Sequence, residues 1–274
     1  MTLLNKDMTL CISLSARPSN NGTRFHNHLY DALGLNWIYK AFAPTDLRLA
    51  IAGVRGLGIR GCAISMPYKE DVIALVDRMD PSATAIDSVN TIVNDAGVLT
   101  AYNTDYSAIV QLIERSGLDP AASVLLRGSG GMAKATAAAF RDAGFSCVTV
   151  VARNETSGRA LADLYGFAWS PGVGSATADI LVNVTPIGMA GGADEGTLAF
   201  ATETIAAASV VFDVVALPAE TPLIAAGRAA GKTVITGAEV ATLQALEQFV
   251  LYTGVRPSAE QVRAAEEFMR AGTA

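Results

Sequence analysis

Residues 124–140 read Val-Leu-Leu-Arg-Gly-Ser-Gly-Gly-Met-Ala-Lys-Ala-Thr-Ala-Ala-Ala-Phe, and no other stretch limits the fold as strongly. A short apolar run, Val124 to Leu126, meets Gly128, Ser129, Gly130, Gly131, Met132 and Ala133, and an alanine-rich helix follows. Strand, glycine turn and helix in that order match G-x-G-x-x-A, a variant of the dinucleotide fingerprint. Glycine lets the turn bend sharply and lets backbone approach a pyrophosphate, while the helix N-terminus offers free N–H groups and a positive dipole end. A second strand, Ser146 to Val151, runs into Ala152-Arg153-Asn154. Sites that prefer NAD usually place Asp or Glu near this point to bind the ribose 2′-hydroxyl; Arg153 instead suits the 2′-phosphate of NADP. Without that chemistry the stretch is an ordinary tight βα turn with a surface arginine. NADP is the cofactor expected.

A chain of 274 residues has room for two ordinary domains or one large one. Hydrophobic residues make up 51% and charged residues 17%, enough for a well-buried α/β core. The formal net charge of −6 carries no block of like charge, which argues against nucleic acid or an anionic membrane surface as partner. Cys11, Cys62 and Cys147 follow no paired spacing and read as buried thiols in a reducing cytoplasm. With only His26 and His28 as imidazoles, no metal site is expected. No run approaches membrane-spanning length, so a soluble, cytoplasmic protein is expected.

Along the chain, Thr9–Leu14 reads as a buried strand and Ser15 to Thr23 as a loop rich in turn formers. Phe25, Leu29, Tyr30 and Leu33 recur at helical spacing, with Gly34 as the stop. Trp37 to Phe42 is a strand, Leu47 to Gly56 a helix and Gly61 to Ser65 a third strand; this alternation predicts a largely parallel sheet. Pro67 opens a further predicted helix with Val72, Leu75, Val76 and Met79 as its buried stripe. Lys69 would then sit in the first turn, where the helix dipole disfavours a cation; the bland alternative is a surface lysine. Ser88 to Val93 and Val98 to Tyr102 form a predicted hairpin around Asn94 to Gly97. Asp105 precedes a helix bearing Ile109, Leu112 and Ile113, and read alone is a helix cap near a domain junction. Asp179 to Val184, Ser209 to Val215 and Thr233 to Thr236 are later strands. The tail is two helices, Ala238 to Thr253 and Ser258 to Ala271, with Ser258 and Gln261 as a capping box.

The ordered motifs resemble one family across nearly the whole chain. They are Phe25-His26-Asn27 with Leu33-Gly34-Leu35, Ser65-Met66-Pro67-Tyr68-Lys69-Glu70, Ser88-Val89-Asn90-Thr91, Asn103-Thr104-Asp105, Gly128 to Ala133, Asn183 to Met189, Thr221-Pro222-Leu223 and Gln244. In that order they resemble the shikimate dehydrogenases, and more closely a divergent shikimate dehydrogenase-like branch. The resemblance implies an α/β architecture: an N-terminal substrate domain over 1–104, a Rossmann-type NADP-binding domain over 105–237, and C-terminal helices, 238–274, packing back on the first. It implies reversible hydride transfer between NADP(H) and 3-dehydroshikimate or shikimate, with Lys69 and Asp105 as the catalytic pair. A lysine ammonium can protonate the alkoxide that forms when hydride reaches a ketone, and a carboxylate can hold it in place. Ser65, Asn90 and Gln244 would bind ring hydroxyls; Thr185 and Gly237 would join Arg153, Asn154 and the glycine turn around the cofactor.

The departures fall at one end of the substrate. Typical members carry a Ser-x-Ser-Pro run before His-Asn, whose two serines hold the carboxylate. Here Asn20 and Gly22 replace the serines and Thr23 replaces the proline, leaving Asn20, Asn21 or Thr23 as donors. The usual tyrosine after Asp213 is Ala216, and the usual Asn-Arg-Thr cofactor run is Ala152-Arg153-Asn154. Intact catalytic residues beside a rebuilt carboxylate end predict weak activity on shikimate, with quinate or another hydroxylated ring as alternative substrate. Two other readings stay open: a methylenetetrahydrofolate dehydrogenase, which also pairs this architecture with a lysine, and a catalytically weak NADP-binding regulator. A monomer or homodimer is expected.

Overall fold

The computed structural model describes residues 4–271. The chain divides into two compact units: one runs to Thr104 and resumes at Thr242, and the other is Asp105–Ala241. No helix among the described residues is long and apolar enough to cross a membrane.

The first unit is built on β1 (Thr9–Leu14), α1 (Asn21–Ala32), β2 (Trp37–Phe42), α2 (Leu47–Gly56), β3 (Gly61–Ile64), β4 (Arg78–Met79), α3 (Pro81–Thr84), β5 (Thr91–Asp95) and β6 (Val98–Tyr102). Its sheet has the order β2-β1-β3-β5-β6-β4. Three of the sheet's five pairings are parallel, β4–β6 among them, and the antiparallel β5–β6 pair is the hairpin expected around Asn94 to Gly97. β1 pairs parallel with β2 and β3, but β3–β5 and β5–β6 are antiparallel. The cause is local: Ala96 and Gly97 both take positive φ, 53° and 91°, a two-residue turn that folds β6 straight back on β5. Asn94 fastens that turn by accepting from the Gly97 N–H at 2.8 Å.

Two expectations fail here. Asn21, Gly22 and Thr23 are not loop but the first turn of α1, because the Asn20 backbone already lies in the helical region and its carbonyl accepts from Arg24 N–H at 2.8 Å. And no α-helix follows Pro67. Residues 66–72 are turns, Ile73–Leu75 is a single 3-10 turn, and the chain then extends into β4. Asp77 explains the outcome: its N–H donates to Leu99 O at 3.0 Å and its carboxylate accepts from Leu99 N–H at 2.7 Å, which pulls the segment onto β6. Val72 still reaches the core, with Leu75, Val76 and Met79 packed around it, so the apolar spacing is real but serves an irregular segment.

Ile12, Leu14, Ile51, Val54, Cys62 and Ile64 form the core between the sheet and α2. The C-terminal helices, α9 (Gly237–Thr253) and α10 (Ala259–Arg270), add the other layer from Thr242 onward. Gly61 has no room for a side chain, since a Cβ there would lie 2.3 Å from the Tyr252 ring of α9. Arg24 of α1 stacks over the Phe268 ring of α10 at 4.0 Å. The Ser258–Gln261 capping box is present as expected. Cys11 and Cys62 are buried, but Cys147, expected to be buried, is exposed because β8 begins only at the next residue.

The second unit follows α4 (Thr104–Arg115) with β7 (Val124–Arg127), α5 (Gly131–Asp142), β8 (Val148–Val151), α6 (Glu155–Tyr165), β9 (Ala168–Ser170), β10 (Ile180–Asn183), α7 (Thr202–Ala207), β11 (Val210–Asp213), α8 (Pro222–Ala229) and β12 (Thr233–Ile235). Every pairing is parallel and the order is β12-β11-β10-β7-β8-β9. This is the doubly wound Rossmann order. The strand order, not the strand direction, switches between β7 and β10, where such sheets open a crevice for ligands.

Candidate active site

In the second unit the glycine turn sits at that crevice. Gly128 has φ +132° and a Cβ on it would approach Val184 Cγ2 to 2.8 Å, so backbone freedom and close packing against β10 both demand glycine. Gly130 caps α5 and Gly131 begins it, with open space where side chains would be. The first N–H groups of α5, through Met132 and Ala133, are therefore approachable, and they have no partner within the helix. Ser129 Oγ lies 2.9 Å from Ser157 Oγ. Next to this turn opens a cavity of about 590 Å³, walled by Arg127, Gly128, Ser129, Arg153, Asn154 and Thr185 among others. These groups suit a phosphate-bearing dinucleotide: glycine backbone, a helix head and arginines, with no acid at the end of β8.

Of the cofactor residues read from the sequence, two have tasks within the fold as well. Asn154 caps α6, its side chain accepting from Ser157 N–H at 3.0 Å. Thr185 is held by Asn183, its hydroxyl donating to Asn183 Oδ1 at 2.6 Å. Asn183 in turn donates to buried Asp213 at 2.9 Å, and Thr221 donates to the other carboxylate oxygen at 2.6 Å. Burial pushes the Asp213 pKa up, and the bonds from Thr221, Val215 and Asn183 oppose that rise. Gly237 is not a wall of the cavity; it packs so closely that a Cβ would lie 2.3 Å from the Val215 carbonyl.

In the first unit the motifs meet at the carboxyl ends of β1 and β3. Ser65, exposed just past β3, donates its N–H to Leu14 O at 2.9 Å, and Ala16 N–H reaches Met66 O. Lys69 lies half-buried in the turns after Ser65, where its carbonyl accepts from Val89 N–H at 2.9 Å. It is not on a helix, so the dipole argument for it lapses. Asn90 is buried and its side chain works on the chain itself: Oδ1 accepts from Thr104 N–H at 2.8 Å and Nδ2 donates to Thr104 Oγ1 at 3.0 Å. Asn103 adds a bond from Nδ2 to Ser88 O at 2.9 Å. The Ser-Val-Asn-Thr and Asn-Thr-Asp motifs are thus two halves of one hydrogen-bonded unit. Asp105 follows it directly, buried in the first turn of α4.

Gln244 is half-buried on α9, and one turn on Gln248 donates to Asn90 O at 3.3 Å. Sequence reading passed over Gln248, although its spacing of four from Gln244 puts both on one helix face. Asn20 is exposed at the start of α1, and the Thr23 hydroxyl is buried with no hydrogen-bond partner among the described residues. His26 stacks on Tyr39 at 4.5 Å, and burial lowers its pKa to about 3, so it stays neutral. Among the described residues no group of three or more His, Cys, Asp or Glu is placed to hold a metal.

Comparison with known proteins places this arrangement. A family model described as the shikimate dehydrogenase substrate binding domain matches residues 19–92. A shikimate dehydrogenase-like protein of Haemophilus influenzae is 58% identical over 268 residues, 98% of this chain and 99% of that one. The chain belongs to the shikimate dehydrogenase family. Among solved structures, a shikimate 5-dehydrogenase-like protein has 58% identity and TM-score 0.97, with 98% of this chain and 100% of that one covered. Shikimate 5-dehydrogenase from Thermus thermophilus, solved with NADP(H) and shikimate, has 27% identity and TM-score 0.83 over 96% of this chain and 100% of that one. Arg127 is a charged residue lining the second unit's cavity that the motif reading did not select.

Proposed function

We propose that the chain is an NADP-dependent oxidoreductase for a shikimate-like cyclic hydroxy acid, interconverting 3-dehydroshikimate and shikimate, and that it acts weakly on shikimate itself. The observation that carries the cofactor choice is Arg153 at the end of β8, in one cavity with Gly128 and Ser129 and with no acid in the ribose position. The relative from Thermus thermophilus, solved with NADP(H) and shikimate, supports both ligands. Gly128 to Ala133 would receive the pyrophosphate and Arg153 the 2′-phosphate, with Asn154 and Thr185 beside them. When bound, the nicotinamide ring gives or takes the hydride. Lys69 Nζ gives a proton to the ketone oxygen during reduction and takes it back during oxidation. The family resemblance assigns Asp105 as the carboxylate of the pair. Ser65, Gln244 and Asn90 are assigned to ring hydroxyls, Asn90 through whatever donor capacity Thr104 leaves it. Asn20 and Thr23 are assigned to the carboxylate.

Following NADPH absorbance with shikimate, quinate and related polyols tests this reading; turnover on none of them, with either cofactor, would refute it. The loop account has its own test. Gly22 is not in a left-handed conformation, and a Cβ there meets the Tyr39 ring at an ordinary 3.4 Å, so serine fits. The Asn20→Ser, Gly22→Ser double variant should raise kcat/KM for shikimate by about 10- to 100-fold, the worth of one hydrogen bond to a charged group. A folded double variant with no gain would mean that Thr23 or Asn21 already does the work.

A further inference from the structure

Arg127 ends β7 immediately before the first glycine of the turn, and it lines the same cavity as Arg153. It is half-buried, and its backbone pairs in register with Val151, two residues before Arg153. Neither guanidinium has a hydrogen bond or an ion pair among the described residues. Burial lowers the Arg127 pKa most, the charge of Arg153 lowers it further, and the charge of Asp194, which also lines the cavity, opposes them. A half-buried cation beside a second cation, with no hydrogen bond or ion pair of its own, is costly, and an anion placed between the two removes that cost.

We propose that Arg127 and Arg153 form a two-guanidinium clamp for the 2′-phosphate of NADP(H), so that Arg127 is a second residue deciding NADP over NAD. This rests on the cofactor reading above. The charge match favours the 2′-phosphate over the pyrophosphate. A terminal phosphate carries about −1.5 to −2 near neutral pH and takes two forked guanidinium groups well. The pyrophosphate is served by the approachable N–H groups at the head of α5. Asp194 counters the clamp's positive charge when no phosphate is present, and it faces Arg127 from a different loop than the one that bears Arg153.

The test is titration calorimetry of the full chain with NADP⁺, NAD⁺ and adenosine 2′,5′-bisphosphate. The last probe carries the 2′-phosphate but no pyrophosphate. Arg127→Gln should weaken NADP⁺ and the bisphosphate by about 10- to 100-fold and NAD⁺ by less than about threefold, as loss of a charge-assisted contact to one phosphate predicts. Arg127→Lys should fall between Gln and wild type. The Arg127→Gln, Arg153→Gln double variant should lose less than the product of the single losses, because the two groups hold one phosphate. Equal weakening of NADP⁺ and NAD⁺, or unchanged NADP⁺ affinity in a variant that melts like wild type, would overturn the clamp. A wild type that binds NAD⁺ as tightly as NADP⁺ would overturn the cofactor reading with it, whereas a wild type that prefers NADP⁺ beside an inert Arg127→Gln would remove the clamp alone.

Discussion

Replacing Lys69 with alanine should cut turnover by about 10²–10⁴-fold, the usual loss when a general acid is removed, and leave NADP⁺ affinity unchanged. The two halves of this result come from different parts of the chain. Lys69 lies in the first unit, whereas the dinucleotide cavity is walled wholly by residues of the second. The backbone bond by which Val89 N–H holds the Lys69 carbonyl does not depend on the side chain, so alanine keeps the turn in place. Steady-state rates on the best substrate of the panel, with calorimetric NADP⁺ titration of the same preparation, make the measurement. More than a tenth of wild-type turnover in the variant would show that the proton comes from elsewhere.

A loss of stability is expected at Asp213, a residue with no assigned part in the chemistry. Its carboxylate is fully buried and accepts from Asn183, Thr221 and the Val215 N–H, at 2.9, 2.6 and 3.1 Å. Asp213→Ala leaves those donors without an acceptor inside the fold and should cost about 3–5 kcal/mol, as breaking a buried charged network does. Asp213→Asn keeps an oxygen for Asn183 and Val215, and the Thr221 hydroxyl can turn round to accept, so about 1 kcal/mol is expected. Urea unfolding of both variants separates these values; equal losses would mean that packing volume matters and the hydrogen bonds do not. The pH dependence has a definite sign. The folded carboxyl titrates above its unfolded value, so its contribution is fully present below the unfolded pKa and is lost as pH rises through the folded one. The wild type should lose ground to Asp213→Asn as pH rises through that window.

Much of the second unit was legible because each of its signals is local. The glycine turn, the apolar strands and the Ala152-Arg153 end of β8 follow from neighbouring residues, and the Rossmann order then has few rivals. The helix Leu47–Gly56 was legible for the same reason. What escaped was decided at a distance. Val72, Leu75, Val76 and Met79 have helical spacing, yet Asp77 bonds to Leu99, twenty-two residues on, and that turns the segment into strand. Asn20 to Thr23 look like a loop by composition because residues that start helices also make turns. In the candidate site the residue types were visible one motif at a time. That Asn90 spends its side chain on Thr104 requires the pairing of two motifs fourteen residues apart. Arg127 was hidden differently: next to a glycine pattern, a charged residue draws no attention until it is found lining the cavity with Arg153.

One contact in α1 bears on how the protein behaves among its own copies. Asn27 donates from Nδ2 to Tyr39 O and accepts from Tyr39 N–H, both at 2.9 Å. Tyr39 is the third residue of the six in β2, and β2 is an outermost strand. The amide side chain thus imitates the backbone of a neighbouring strand and plugs the row of free groups near its midpoint. The other outer strands, β4, β9 and β12, are two, three and three residues long, too short to recruit another chain. Both sheets therefore end in edges that resist templated addition, the longest of them through a single asparagine.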